Sequence, residues 1–492
     1  NLFLKPLQRS LLQEAINMKS NKLSLVLFDE SLFRLCYLAS FFLYMISYLS
    51  TPSIVLIGIT SLWGVAIAIR SLIVNKAYFR VYYGFWLGAF LVSLTFTLLF
   101  NLSTDFIAVG YNFILIVHCF VCFVLFYGMH IHRGTMYRWE MYLFARFFIY
   151  AATVTAFIGL ALLLFGVEFV FYGNTYTGVF FNPNYQGYVS ALAVIFCHFM
   201  TKPDFLVHAR QKRISRIWIA ACVLLNIIAL VLSNSNGSLL LLGIYIAFIV
   251  LFRLLALAEK LTPRGVIARF IALVVVGFLL ICLLMALRAA FKIVVASLSS
   301  GEGELTKADL NALTKGSFFN IITDSGLSSR LDLWGAGFKA LLSNPVFGAG
   351  KGDLYNHILA EIGKRSYFTD DYLTNVFIAD MHNGYIGILV VAGIMGFGLF
   401  GIFMYRFFKM TLPVWFIQRR IMTYSIYPCM IGFIAAYMVY ALIERTILFD
   451  LSFIVTSFWA FLGYMSCYAT DLGYNIRGTV EIGNVKLPKR IF

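Results

Sequence analysis

The stretch IALVVVGFLLICLLMAL, residues 271–287, is apolar at every position for seventeen residues and carries no charge. A helix buried against a soluble core keeps a polar stripe, and a strand of an outer-membrane barrel alternates polarity over about ten residues. A run that is apolar on all faces and this long suits the hydrocarbon of a bilayer, which takes roughly 20 residues per helical crossing. Working outward in both directions, comparable runs recur along the chain. They lie at about 33–50, 53–69, 82–101, 107–127, 143–166, 185–201, 217–233, 237–257, 266–287, 383–405, 424–443 and 447–467. The expected fold is therefore an all-α integral membrane protein of about twelve transmembrane helices.

Composition agrees. Of 492 residues, 61% are hydrophobic and 12% charged, far from the averages of soluble domains. The net charge of +16 does not point to nucleic acid, because its distribution follows the membrane. If the twelve spans alternate, 28 of the 38 Lys and Arg residues fall on the side that holds both termini, among them those of ARQKRISR (209–216) and FIQRR (416–420). That bias orients the chain with both termini in the cytoplasm. Span 1 is then the expected insertion signal. The eight cysteines sit in or beside apolar runs and imply no disulfide framework.

This reading divides the chain into a cytoplasmic segment 1–32, helices 1–9 over 33–297, a large extracytoplasmic loop 298–380, helices 10–12 over 381–467 and a cytoplasmic tail 468–492. Long ordered loops tend to carry function. In this one, SSRLDLWGAGFKALLSNP (328–345) places Leu331, Trp334, Phe338 and Leu341 at helical spacing. The pattern predicts a short amphipathic helix near the membrane surface, with Arg330 in its first turn. LTKADLNALTKG (305–316) predicts a second. On the same face of the membrane lie two polar, uncharged stretches, YGNTYTGVFFNPNYQGY (172–188) and SNSNGS (233–238).

At the mouth of span 10 stands DMHNGYIGILVVAGIMG (380–396). Imidazole is the side chain whose ordinary pKa lets it take a proton near neutrality, so His382 is the candidate general base; the bland alternative is a histidine that only caps the helix. Gly393, Gly396, Gly398 and Gly401 downstream predict close packing on neighbouring helices. The candidate cations are Arg330, Lys339 and Lys351 in the loop, with Arg288 and Lys292 where span 9 emerges. Guanidinium and ammonium groups at a low-dielectric surface suit a lipid pyrophosphate, whereas headgroup contact would also explain Lys339. NPVFGAGKGDLY (344–355) imitates a P-loop but has Pro345 and Gly352 where that pattern needs Gly and Ser or Thr. HCFVC (118–122) lies mid-span without a second ligand pair and reads as packing. Glu444 and Arg445 at the outer end of span 11 either pair with each other or join the site.

The loop sequence SSRLDLWGAGFKALLSNPVFGAGKGDLY followed by HNGYIGILVVAGIMG resembles the O-antigen ligase and O-antigen polymerase superfamily of bacterial membrane glycosyltransferases. The shared features are an arginine, a tryptophan-bearing helix, a Pro and Gly-rich turn, then His-Asn opening a helix with Gly-x-x-Gly. The resemblance implies a bundle of the class called GT-C and transfer of glycan from a polyprenyl (undecaprenyl) pyrophosphate carrier to a hydroxyl. No metal or other cofactor is implied. By motif it assigns pyrophosphate binding to Arg330 and acceptor activation or positioning to His382, with Asn383, Asn184, Trp334 and Glu444 as supporting or substrate-binding residues. Where the family often carries arginines, this chain has Thr175 and Tyr176 in one segment and Asn236 in another. Arg288, Lys351 or Lys339 are the expected substitutes.

The expected function is polymerisation of lipid-linked repeat units on the outer face of the bacterial cytoplasmic membrane. Its partners are the lipid-linked donor, a glycan acceptor, the bilayer and, in such systems, a chain-length regulator. Ligase-type transfer of finished glycan to another acceptor is the near alternative. A flippase of lipid-linked sugars is the rival of another class; it calls for internal repeats and broken, charged helices, and neither is legible here.

Overall fold

The computed structural model describes residues 27–76, 80–102, 105–131, 136–172, 175–205, 215–256, 326–364, 368, 370–422, 425–471, 481–482 and 485–486, with isolated helical residues between 264 and 286. Most of span 9, Arg288, Lys292 and the helix expected at 305–316 lie outside the described residues.

Among the described residues the fold is helical, apart from two hairpins of two-residue strands, Phe171–Tyr172 with Thr175–Tyr176 and Glu481–Ile482 with Val485–Lys486. The helices are α1 (Glu30–Tyr44), α2 (Ser50–Asn75), α3 (Gly84–Phe100), α4 (Phe106–Val121), α5 (Met136–Leu164), α6 (Pro183–Met200), α7 (Arg216–Leu232), α8 (Asn236–Ala256), α9 (Gly326–Ser343), α10 (Leu354–Ile362), α11 (Tyr372–Ile378), α12 (Gly384–Met422), α13 (Tyr427–Tyr440) and α14 (Phe453–Asp471). Among the described residues, five helical stretches are long and apolar enough to cross a membrane, namely Ser47–Val74, Phe106–Ile131, Tyr137–Leu164, Asn236–Ala256 and Gly384–Val414; shorter apolar helices accompany them.

Helix α14 is buried almost all round, which places it at the centre of the bundle. Phe453 stacks on Phe148 of α5, and Phe461 on Phe196 of α6, with centroids 5.2 and 5.3 Å apart. On the outside, α2 and α3 expose Ile54, Val55, Leu62, Phe96 and Phe100, the apolar surface that hydrocarbon covers.

One buried ion pair ties the periphery to this centre. Arg34 of α1 donates through Nε and Nη2 to both carboxylate oxygens of Glu140 in α5, each at 2.6 Å. Tyr464 of α14 donates to the same carboxylate. Helix α4 continues into a π-helical turn, Cys122–Phe126, and the Leu125 carbonyl there accepts from Arg34 Nη1 at 2.9 Å. The charge is thus neutralised and every arm of the fork is used. Removing one partner of such a pair leaves the other charged in an apolar interior. We expect Glu140→Gln to cost about 3–5 kcal/mol, read as a lower melting temperature in detergent; an unchanged melting temperature would contradict this. His118, in the same region, faces Tyr37 Oη at 2.8 Å and Cys122 Sγ at 3.6 Å, a packed core histidine.

The feature that shapes the functional end is a break in α12. Gly393 has φ +68°, and around it the helix exchanges its own hydrogen bonds for bonds to the segment after α9. Ala349 N and Gly350 N donate to the carbonyls of Val390 and Val391, at 2.9 and 3.2 Å. Ile394 N and Met395 N donate to those of Pro345 and Val346, at 3.0 and 3.1 Å. At 1.5 Å per residue, this clasp lies about 10–17 Å along α12 from its start at Gly384. Irregular backbone is tolerated at such depth only when its polar groups are satisfied by protein. The backbones approach so closely that a Cβ on Gly393 would sit 2.2 Å from the Val346 carbonyl oxygen, and one on Gly348 would sit 2.5 Å from Gly393 N. Asn101, which caps the end of α3, completes the clasp by donating to the Gly348 carbonyl at 2.8 Å. The tight packing expected of the four glycines therefore holds at Gly393 and at Gly396, which touches Phe90, whereas Gly398 and Gly401 have open space before them.

Candidate active site

The clasp delivers Lys351. Following directly on Gly350, its side chain is 2% exposed, and Nζ has no hydrogen-bond partner among the described residues. It borders a small cavity with Thr97, Asn112 and Phe449 and lies in the field of Asp380, Arg445 and Asp450. Burial pushes its pKa down to about 8, against the pull of the Asp380 carboxylate. A buried ammonium without a partner is costly unless an anion completes it.

His382 approaches from the other side. It adopts a left-handed backbone, φ +45°, uncommon for a residue other than glycine. Three contacts impose it. The His382 N–H donates to Asp380 Oδ2 at 3.0 Å, and Trp334 of α9 donates from Nε1 to the Met381 carbonyl at 2.7 Å. Asn383 then caps α12 by accepting from the N–H groups of Tyr385 and Ile386, both at 3.0 Å, while its amide donates to the Leu442 carbonyl. Trp334 and Asn383 are thus positioning residues. They tie α9, the start of α12 and the 441–444 turn to the histidine.

The imidazole is oriented by acid groups. Nδ1 is closed off from solvent and faces Glu444 at 3.7 Å and Asp380 at 3.9 Å, while the side chain as a whole is 42% exposed. The open edge of the ring is therefore the one with Nε2. Burial works against the charged ring, but Glu444 and Asp380 outweigh it, so the pKa lies above the ordinary value. Arg445 is the hub, reaching Asp450 at 3.4 Å and Asp380 at 3.9 Å through Nε, and the Phe377 carbonyl through Nη1. Despite its burial, Asp380 is held below the usual carboxylate range by Arg445, Lys351 and His382. Phe449, beside Asp450, is a second left-handed non-glycine residue, φ +61°. Strain at two points of one cluster is the mark of a geometry that the surrounding structure enforces.

The other sequence candidates lie as follows. Arg330 is half-buried just past the first turn of α9, one turn before Trp334 and so on the same face, with no hydrogen bond or ion pair to a described residue. Lys339 is exposed and ion-paired with Glu361. Asn184 is exposed in the first turn of α6. The helix α9 itself has three faces. Leu333, Ala336 and Ala340 are buried against protein; Leu331, Phe338 and Leu342 form an exposed apolar stripe, beside which Asp332 and Lys339 are exposed polar residues. Sequence reasoning missed Asp380 and Asp450. Asp380 stands two residues before His382, the spacing of an Asx turn, and Asp450 is a lone acid between apolar runs, a signal that carries a functional prior.

Residues 220–401 match the family model described as O-antigen ligase. The match covers 182 of the 492 residues and supports kinship with the O-antigen ligase and polymerase superfamily. The matched stretch runs from α7 into α12 and contains Arg330, Trp334, Lys351, Asp380 and His382, while Glu444, Arg445 and Asp450 lie beyond it. No curated protein matches the chain. The long apolar helices and the match together indicate a multi-pass membrane protein, and the match supports an O-antigen ligase or polymerase type of function in general terms.

We propose that the site sets a pH window, with His382 as base and Lys351 as the cation for pyrophosphate. The base must be neutral, and His382 loses its proton only above the ordinary histidine value; the cation must be charged, and Lys351 loses its proton as pH rises through about 8. Activity should trace a narrow bell between the two. Glu444→Gln removes a carboxylate that raises His382, so the acid limb should move to lower pH. An acid limb that stays in place would show that His382 is not the titrating base.

Proposed function

We propose that the chain is a polysaccharide polymerase, transferring glycan from a polyprenyl pyrophosphate-linked donor to a hydroxyl of a lipid-linked acceptor repeat unit. The observation that carries this reading is the pairing of His382, its Nδ1 faced by carboxylates and its other edge open, with the unpartnered buried ammonium of Lys351. Nε2 takes the proton of the acceptor hydroxyl as its oxygen attacks the anomeric carbon. The bond to pyrophosphate breaks, and the electron pair leaves with the phosphate oxygen, stabilised by Lys351 and, from α9, by Arg330. Glu444 and Asp380 stabilise the imidazolium as it forms. A single displacement inverts the anomeric centre. The charges at the leaving group come from side chains, so the reaction calls on no metal or nucleotide.

Lys351 and Arg445 take the place of the arginines absent at Thr175, Tyr176 and Asn236. Asn236 adjoins Gly237, which packs on Tyr440 and Ile443, one residue before Glu444. The reading sets the reaction in a bundle of the GT-C class, on the outer face of the bacterial cytoplasmic membrane.

The description of the matched family favours a second reading, in which finished glycan passes to a different acceptor. Product length separates the two. Purified protein given only a lipid-linked repeat unit should yield a ladder of longer glycans; product formed solely when another acceptor is added would establish the ligase.

A further inference from the structure

The mechanism leaves unused the wall of rings at the outer end of α1 and α6. Phe181, 38% exposed, lies edge-on to Tyr44 and to Tyr185, with centroids 5.8 and 5.0 Å apart. Its backbone is fixed. Phe181 N donates to the Met45 carbonyl at 3.3 Å, Ser47 N donates to the Val179 carbonyl at 3.1 Å, and Ile46 bridges to Phe180. Asn182 caps α6 by accepting from Asn184 N at 2.8 Å, which sets Phe181, Asn184 and Tyr185 on one turn. The Asn184 carboxamide is exposed and makes no side-chain hydrogen bond to a described residue. This wall adjoins the charged cluster, since the hydroxyls of Tyr44 and Tyr185 lie in the field of Asp450 and Arg445, and that of Tyr185 also feels Glu444.

A pyranose ring presents a face of C–H groups and a rim of hydroxyls. The negative face of an aromatic ring attracts the first, and a free carboxamide, with two donors and an acceptor, serves the second. We propose that Phe181, Tyr44 and Tyr185, with Asn184, form the subsite that holds a sugar ring of the lipid-linked glycan beside His382. The inference rests on the transfer reading above. It adds that the site binds the glycan through a rigid aromatic wall, ordered before the substrate arrives, which spares the entropy of assembling it.

The test compares two probes by calorimetric titration in detergent: an undecaprenyl pyrophosphate-linked oligosaccharide, and undecaprenyl pyrophosphate without sugar. Wild type should bind the glycolipid more tightly than the bare carrier. Phe181→Leu should weaken glycolipid binding about three- to tenfold and leave the bare carrier unchanged, whereas Phe181→Trp, which keeps a ring, should retain it. Equal affinity of Phe181→Leu and wild type for the glycolipid would overturn the subsite while leaving the transfer reading intact. A loss shared equally by both probes would also overturn it, making Phe181 a membrane anchor. Failure of wild type to bind either probe would overturn the transfer reading itself, and the subsite with it.

Discussion

His382→Ala is expected to lower turnover by about 10²–10⁴-fold while leaving donor binding close to wild type. The division follows from the geometry. The groups proposed to meet pyrophosphate, Lys351 and Arg330, belong to the segment after α9 and to α9 itself, and neither position depends on the imidazole. What the ring supplies is a proton acceptor, with Nδ1 held against Glu444 and Asp380 and Nε2 open. Alanine at φ +45° also carries backbone strain, so a loss in that variant alone would be ambiguous. His382→Asn resolves this, because asparagine tolerates the left-handed region and lacks a basic nitrogen. Both variants should be equally inactive. An asparagine variant that keeps turnover would mean that residue 382 holds a turn and does not move a proton.

The second large effect belongs to Arg445. It stands between Asp380 and Asp450, both more than nine-tenths buried, and Arg445→Gln leaves those carboxylates with only Lys351 and His382 as the countercharges near Asp380. Stranding a buried charge costs about 3–5 kcal/mol, so the melting temperature should fall and turnover with it. The loss of turnover has its own route, since Asp380 fixes the His382 backbone and would be drawn toward Lys351. Arg445→Lys retains charge without the planar fork and should recover part of the stability and less of the activity. Melting and turnover both unchanged in Arg445→Gln would remove Arg445 from the site.

Much of the fold is legible in the sequence because a bilayer imposes a length and a composition on each span. Eleven of the twelve apolar runs correspond to described helices. The ends of the last two are misplaced for a reason: α13 stops at Tyr440 and α14 begins at Phe453, and the unwound chain between them carries Glu444, Arg445 and Asp450. A hydropathy pattern extends both helices across that gap, since Ile447, Leu448, Phe449 and Leu451 are as apolar as any span.

The clasp at Gly393 is invisible for a different reason. Its bonds join backbone to backbone, and the one trace they leave is a glycine at each of two places some forty residues apart. A regular helix 10 is therefore the natural reading; the structure keeps the helix but diverts its backbone hydrogen bonds around Gly393 to the segment after α9. His382 is legible as a candidate because a histidine stands out at the mouth of an apolar run, with helix capping as its alternative use. Lys351 is legible as a cation but not as a buried one, because GAGKGD has the composition of an exposed turn.

The most direct measurement is a single-turnover experiment on protein reconstituted in liposomes, with polyprenyl pyrophosphate-linked oligosaccharide and acceptor. It follows at once the release of carrier pyrophosphate and the transfer of glycan, with His382→Asn in parallel. The expected result is equal amounts of both products in wild type and neither in the variant. Glycolipid that crosses the bilayer intact, with no carrier released and no difference between the two proteins, would contradict the account and make this chain a transporter.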